Sequence, residues 1–486
     1  MRSERIANTV ALVLVVTAAG ASAAGAQEPV RQMHEPRPEQ RRVVLAAPPA
    51  PDEAPQQSAD AWDADPLGFW NALGDTTLSR LIRAGLDANR EVDAAEARIA
   101  AARAVRTGAA LDLAPTITAD AAYSRQRLAS ASMPGLSGSL PDRDIWEAGV
   151  QLSWELDLFG RNRNALQGHG ALLDAAEEDV RGAHVIVVAE VARAYFELRG
   201  LEERLAVARR NAQNQESSLE LTRNLLEAGR GTALDTERAQ AQLSSTLAEI
   251  PALEAGISAA QHRLSVLLAR APGQGDVLQP AAKHEFELPA QLQLPDEDDA
   301  VRRRPDVRSA ASRVAAQREF VSSAKASYLP RIAIGGVAGY TASELDAFGN
   351  SGTPRYAVGP VISWPLFDIG RVKTGVDEAR AHQREAAAQH QQAVLRAQEE
   401  VQTSLDAYHS ARERLRHLED AAAASERATE LARLRFEEGG ADFLEVLDAE
   451  SRQLAAQDRL AAGRTEARAW LVAVYRAVGG MVLPAR

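Results

Sequence analysis

The chain contains no cysteine. That rules out disulfides and a thiol nucleophile, and with no cysteine to lipidate no acyl anchor is expected. An exported form would have to draw its stability from packing or assembly. Aromatic residues make up only 5% of the sequence. Beyond the first twenty or so residues no run of ~18 apolar residues occurs, which excludes a membrane-spanning helix. A basic surplus is missing too: the net charge is −12 with no dense basic stripe, which argues against a nucleic-acid partner. Neither a Gly-x-Ser-x-Gly nucleophile elbow nor a phosphate loop is present. His382 with His390, and His409 with His417, stand eight residues apart. On a helix that is about 12 Å, too far for one metal ion. The residues therefore support no enzyme, no cofactor and no metal.

Of the 486 residues, 45% are hydrophobic and 25% charged, and Ala, Leu, Glu, Arg and Gln abound. Such a chain buries a large core and suits long helices. Arg2 and Arg5, the apolar stretch Val10 to Ala19 and the small-residue site Ala24-Gly25-Ala26 compose a secretory signal peptide over residues 1–26. Residues 27–65 carry Pro29, Pro36, Pro38, Pro48, Pro49, Pro51 and Pro55 and read as an extended lead-in.

The remainder says one thing twice. Trp154-Glu-Leu-Asp-Leu-Phe-Gly160-Arg161 returns as Trp364-Pro-Leu-Phe-Asp-Ile-Gly370-Arg371, 210 residues later. Glu227-Ala-Gly229 returns as Glu437-Glu-Gly439 at the same offset, and Leu113-Ala-Pro115 answers Tyr328-Leu-Pro330 at 215. A period this long is a duplicated unit, not a solenoid of ~20–50-residue repeats. The first repeat is assigned to 66–270 and the second to 297–480. A Pro-rich linker (271–296) lies between them and a short tail (481–486) follows.

Each repeat opens on a helical pattern, about 76–111 in the first, then changes period to 2. In the stretch after Ile145, Trp146, Ala148, Val150, Leu152, Trp154, Leu156 and Leu158 alternate with Glu147, Gly149, Gln151, Ser153, Glu155 and Asp157. This is a long two-faced strand. Strands are expected at about 115–128, 145–158, 331–343 and 355–368. Each hairpin runs into a proline-free stretch, 163–228 or 372–438, with seams such as Val191, Tyr195, Leu198 and Val401, Leu405, Tyr408 at coiled-coil spacing. Gly229 and Gly439 end these helices, and shorter ones follow near 232–270 and 442–478. Four strands cannot close a barrel, and open edges are not tolerated in a bilayer, so assembly is expected. Three copies would supply twelve strands.

With these pieces in order, the chain resembles the TolC-like outer-membrane efflux family, in its NodT-like branch serving RND-type pumps. The carriers are Phe69-Trp70-Asn-Ala-Leu73-Gly74-Asp75, the two Trp…Gly-Arg motifs, Arg304-Pro305-Asp306-Val307, and Gly439 with Phe443-Leu-Glu445-Val-Leu447-Asp448. The resemblance implies a fold that is mainly α with membrane β, a homotrimer whose twelve-stranded barrel in the outer membrane continues as a long α-helical coiled-coil barrel. It implies a passive exit duct for drugs or other small amphipathic compounds, with a periplasmic adaptor, an inner-membrane transporter and outer-membrane lipid as partners. Many members of that branch begin with a lipidated cysteine, from which this sequence departs. A duct for type I protein secretion or metal-ion efflux stays open, as does a soluble periplasmic coiled-coil scaffold, which leaves the duplicated alternation unexplained.

By the same resemblance Glu445 and Asp448 ring the periplasmic pore gate, with Phe443 and Leu444 as an apolar plug and Asp235 as the first-repeat counterpart. A competing reading exists: Asp442-x-x-Glu445 and Thr232-x-x-Asp235 both have the form of a capping box. Gly229, Arg230 and Arg223 on one turn, with Gly439, Arg433 and Arg435 on the other, are the adaptor-docking candidates. Gly160, Arg161, Gly370 and Arg371 mark the strand-to-helix elbows, with the glycines expected to supply the sharp turn. Trp146, Trp154 and Trp364 read as lipid-interface anchors, or as packing between subunits.

Overall fold

The computed structural model describes residues 68–127, 141–273, 286, 288, 289, 292, 293, 296–480, 483 and 484. All of them belong to one compact unit, Ala61–Arg486. The expected signal peptide, the segment 27–65 and most of the linker 271–296 and of the tail 481–486 lie outside the described residues.

In chain order the elements are α1 (Gly68–Ala72), α2 (Thr76–Ala88), α3 (Arg90–Leu111), β1 (Thr116–Gln126), β2 (Arg143–Glu155), α4 (Arg161–Glu227) and α5 (Ala233–Leu267). There follow β3 (Leu292–Gln293), α6 (Glu297–Arg303), α7 (Pro305–Ala326), β4 (Arg331–Ala342), β5 (Pro354–Ser363), α8 (Ile369–Glu437), α9 (Phe443–Ala477) and β6 (Leu483–Pro484). The 67 residues of α4 and 69 of α8 each extend roughly 100 Å at 1.5 Å per residue.

The helix expected over 76–111 is two helices. Asn89 breaks it, capping α3 through Glu91 N (2.8 Å) while its Nδ2 donates to Leu267 O at the end of α5 (2.9 Å). In the second repeat Arg304 fills this place, 215 residues on, and its Nη1 donates to Ala477 O at the end of α9 (2.7 Å). Trp154 and Trp364 are likewise equivalent: their indole N–H groups donate to Leu113 O (2.9 Å) and Tyr328 O (3.1 Å), pinning a strand end to the segment after the preceding helix. The duplication is thus one of hydrogen bonds as well as of letters.

The main core gathers side chains of α1, α2, the middle of α4 and α8 and the ends of α5 and α9, around Trp70, Leu78, Ile82, Phe196, Leu198, Leu264, Tyr408 and Tyr475. Asp75 caps α2 through Thr77 N and Leu78 N (both 2.9 Å) and accepts from Tyr195 Oη (2.7 Å). A second cluster sits at the far end of the long helices, built from Leu219, Leu243, Phe443 and Val446.

One position breaks the equivalence. The turn after α9 uses Gly479 at φ 69°, whereas the turn after α5 holds Ala269 at φ 53°. A side chain in the left-handed region costs about 1–2 kcal/mol, partly offset by the unfolded-chain entropy of glycine. Ala269→Gly is therefore expected to stabilise the protein by roughly 0.5–1 kcal/mol, read as a rise in the denaturant midpoint. No rise would show that Ala269 is unstrained.

The four long strands form one antiparallel sheet in the order β1-β2-β4-β5. Its register sorts the side chains by face. Ile117, Ala119, Ala121 and Tyr123 pair with Leu152, Val150, Ala148 and Trp146, and these continue across β4 and β5 as Gly336, Ala338, Tyr340, Ile362, Pro360, Val358 and Tyr356. The opposite face carries Thr118, Asp120, Glu147, Gln151, Glu155, Thr341 and Arg355. There Arg355 reaches across β4 to Glu147, with Nη1 3.2 Å from Oε1. One face is apolar across all four strands, and the other carries the charged and polar side chains among Gly, Ala, Ile145, Val337 and Val361, as in a sheet between lipid and water.

Candidate functional site

Two regions at opposite ends of the long helices hold the candidate residues. At the sheet end, Gly160 adopts φ 77° and turns the chain from β2 into α4. Asp157 does the capping: its carboxylate accepts from Asn162 N and Arg163 N, both at 2.9 Å. Arg161 makes a fork to Glu155, with Nη2 at 2.7 Å and Nε at 3.1 Å. Gly370 does not repeat this turn. It lies inside the first turn of α8 and outside the left-handed region, and the bend is made before it, where Asp368 N donates to Pro365 O (3.1 Å). Replacing Asp157 by Phe367 in the second copy removes the capping carboxylate, so the two elbows differ. Arg371 pairs with the neighbouring Asp368 (2.8 Å), both exposed.

Trp146 stands on the apolar face against Tyr123, ring centroids 4.5 Å apart. Trp154 and Trp364 spend their polar atoms on the carbonyls named above, which gives both indoles a structural task at the elbow.

At the opposite end, Gly229 (φ 71°) and Gly439 (φ 78°) terminate α4 and α8 in the left-handed region, and both turns stand open to solvent. Arg230 is exposed and makes no side-chain bond among the described residues. Arg223 donates to Gln240 Oε1 (3.0 Å). Arg435 bridges its own turn, bonding Gly440 O (3.0 Å) and Glu445 Oε2 (3.2 Å). Arg433 is drawn away from the docking surface instead: it points between helices and binds the buried Glu450.

The gate candidates separate in the same way. Phe443 is 5% exposed and packs edge-on against Phe436, so it is a core residue and not a free plug. Leu444 is exposed. Glu445 N donates to the capping carboxylate Asp442 Oδ1 (3.1 Å), and its side chain meets Arg435. Asp448 pairs with Arg452 one turn on (3.0 Å). Asp235 mirrors Glu445, its N–H donating to Thr232 Oγ1 (3.2 Å). Capping is therefore real at 235 and 445, yet each carboxylate remains at the surface. These exposed pairs are worth at most about 1 kcal/mol each, so they yield easily to a passing charge.

Glu450 escapes a motif search. It is 3% exposed, and its Oε1 accepts from Arg433 Nη2 (2.7 Å) and Nε (3.1 Å) on α8 and from Ser218 Oγ (2.8 Å) on α4. The signal lay in its register: it follows Phe443 and Val446 at core spacing, where an apolar residue belongs. Higher up, a cavity of about 1740 Å³ opens between α4, α8 and α9. Arg468 lines it, stacked over Phe286 at 5.8 Å, and burial lowers its pKa. Tyr195, beside it, is raised by burial and by its bond to Asp75.

The family model described as outer membrane efflux protein matches residues 81–270 and 298–480, both repeats and most of the chain. This chain belongs to the outer membrane efflux protein family. It is 29% identical to the outer membrane protein OprJ of Pseudomonas aeruginosa over 438 residues, 87% of this chain and 90% of OprJ. It is 28% identical to the toluene efflux pump outer membrane protein TtgF of Pseudomonas putida, covering 88% and 87% of the two chains. Among solved structures it resembles the outer-membrane channel OprN with a TM-score of 0.79 and 37% identity, covering 85% of this chain and 92% of that one. Its fold is that of the family's outer membrane efflux channels: three copies complete a twelve-stranded barrel in the outer membrane, continued by an α-helical barrel into the periplasm. Members are channels of tripartite pumps, not enzymes.

Proposed function

We propose that the chain is a passive exit duct that carries small amphipathic compounds, drugs among them, from a periplasmic adaptor and an RND-type inner-membrane transporter to the exterior. The observation that carries this reading is the two-faced sheet joined without interruption to helices of roughly 100 Å. A sheet with one polar face encloses water once closed, and the helices lengthen that conduit. In this reading the driving force is assigned to the transporter. TtgF, named for toluene, supports an apolar or amphipathic cargo.

Within this reading Glu445 and Asp448 form carboxylate rings at the narrow periplasmic end, with Leu444 as the apolar element and Asp235 on the other turn. Three copies bring six carboxylates to one axis, which favours cations over anions. The open turns at Gly229 and Gly439, with Arg230 and Arg435, are the surface offered to the adaptor.

A deletion strain complemented with the gene tests the cargo. Sensitivity to dyes, detergents and antibiotics that the gene reverses is expected, whereas loss of one secreted protein or one metal tolerance would reassign it. For the gate, Glu445→Ala with Asp448→Ala is expected to raise the conductance of the purified channel in planar bilayers or to lower its cation preference. If neither quantity moves, both residues return to capping and surface pairing.

A further inference from the structure

The apolar face of the sheet ends in a cluster of charges. On that face Trp154 of β2 stands near the helices, and Trp146 stands eight residues away toward the hairpin. At about 3.4 Å per residue this is roughly 27 Å along the strand, or about 20 Å of bilayer once the strand tilts by about 40°. An outer-membrane barrel has an apolar band ~25 Å tall between two aromatic girdles, so the two Trp positions fit its borders. The helices enter the periplasm from the Trp154 end. The pair Tyr123–Trp146 therefore marks the outer border, and the residues beyond it lie at the level of the outer headgroups.

Those residues are two successive pairs of opposite charge. Arg125 stands opposite Asp144 in the register, on the same face as Tyr123 and Trp146. Just past the strand ends Arg127 Nε donates to Asp142 Oδ1 (2.6 Å). Arg125 Nε reaches Asp142 Oδ2 (3.4 Å), and its Nη1 lies 3.9 Å from Asp144 Oδ1, the oxygen that also accepts from Tyr123 Oη (3.0 Å). Both arginine side chains remain 62% exposed. The second hairpin serves as an internal comparison. At the offsets of 215 and 210 that relate the repeats, Arg125, Arg127, Asp142 and Asp144 correspond to Tyr340, Ala342, Gly352 and Pro354. None of these is charged, so the cluster is not a general requirement of the sheet's rim.

By themselves these exposed ion pairs are worth at most about 1 kcal/mol each, and they open readily to a better partner. We propose that Arg125 and Arg127 with Asp142 and Asp144 form a headgroup site, one per copy, for a phosphorylated glycolipid of the outer leaflet. The planar guanidiniums present paired N–H donors to phosphate oxygens. The two carboxylates hold the divalent cation that neighbouring phosphates share, oxygen ligands being what such a cation takes. Both signs of the cluster are thereby used, and the acyl chains run down the apolar face past Trp146 and Val150. The site depends on the sheet's place in the outer membrane and not on what the channel carries.

Native mass spectrometry of the intact channel, with bisphosphorylated lipid A and magnesium as the probe, tests the site. The parent is expected to retain one lipid per copy, and Arg125→Gln with Arg127→Gln to weaken retention about tenfold or more. A chelator should weaken retention by the parent severalfold and have no further effect on Asp142→Asn with Asp144→Asn. Arg355→Gln, which removes a cation from the opposite face, should change nothing. The same spectra report whether each variant assembles. If the double arginine variant does not, Arg127→Gln alone, outside the strand, is expected to lose about threefold. Four results would each overturn the proposal: no retention by the parent, equal retention by an assembled arginine variant, equal affinity for dephosphorylated lipid A or phosphatidylglycerol, or a chelator effect that persists without the carboxylates.

Discussion

Arg304→Ala is expected to destabilise the protein by about 2 kcal/mol through its lost charge-assisted hydrogen bonds, less than for a fully buried pair because Asp306 and Glu400 are half-exposed and rehydrate. Arg304 is 8% exposed on its side chain and sits at the joint between α6 and α7. Its guanidinium forks onto Asp306 (3.0 and 2.9 Å), reaches Glu400 of α8 (2.9 Å) and donates to Ala477 O at the end of α9 (2.7 Å). Alanine would leave two carboxylates without their cation and a helix-end carbonyl without a donor. Arg304→Asn copies the first repeat, where Asn89 makes the corresponding carbonyl bond, and is expected to recover about 1 kcal/mol of the loss. Denaturant unfolding of the purified protein measures both. An alanine variant within 0.5 kcal/mol of the parent would show that the hub contributes little net stability.

The duplicated letters made most of this fold legible. The alternation after Ile145 predicts a strand at about 145–158 and β2 runs Arg143–Glu155, while the long proline-free stretches became α4 and α8 to within about three residues. Those signals are local, set by the periods 2 and 3.5 and by glycines with positive φ. What stayed hidden depends on partners distant in sequence. Asn89 reads as one more helix-surface residue until Leu267 O is seen beside it. Gly370 aligns with Gly160, yet the second elbow lacks a counterpart to the Asp157 carboxylate and bends earlier. Arg433 and Phe443 looked like surface groups near a turn, and only the packing of α8 on α9 turns both inward.

Glu450→Ala is the second change expected to have a large effect, about 2–3 kcal/mol, because a buried carboxylate here holds three helices from both repeats. Removing it strands Arg433, which is partly exposed and so recovers some hydration, and deprives Ser218 of its acceptor. Low dielectric sharpens the interaction and also makes it costly to have built: the second oxygen, Oε2, is buried with no hydrogen-bond partner among the described residues. An apolar alternative at this position is therefore a serious competitor. Glu450→Leu alone still strands Arg433, whereas Glu450→Leu with Arg433→Leu extends the apolar cluster of Phe443, Val446 and Leu219 and is expected to be near neutral. The coupling between the two sites, read from a double-mutant cycle in denaturant, should exceed about 1 kcal/mol. Hydrogen exchange gives an independent reading: in Glu450→Ala the amides of the first turns of α9 should lose protection while those of the main core around Trp70 keep theirs. Additive single changes, or unchanged protection near Glu450, would mean that the hairpins are held together by the apolar cluster alone and that the carboxylate is a tolerated cost.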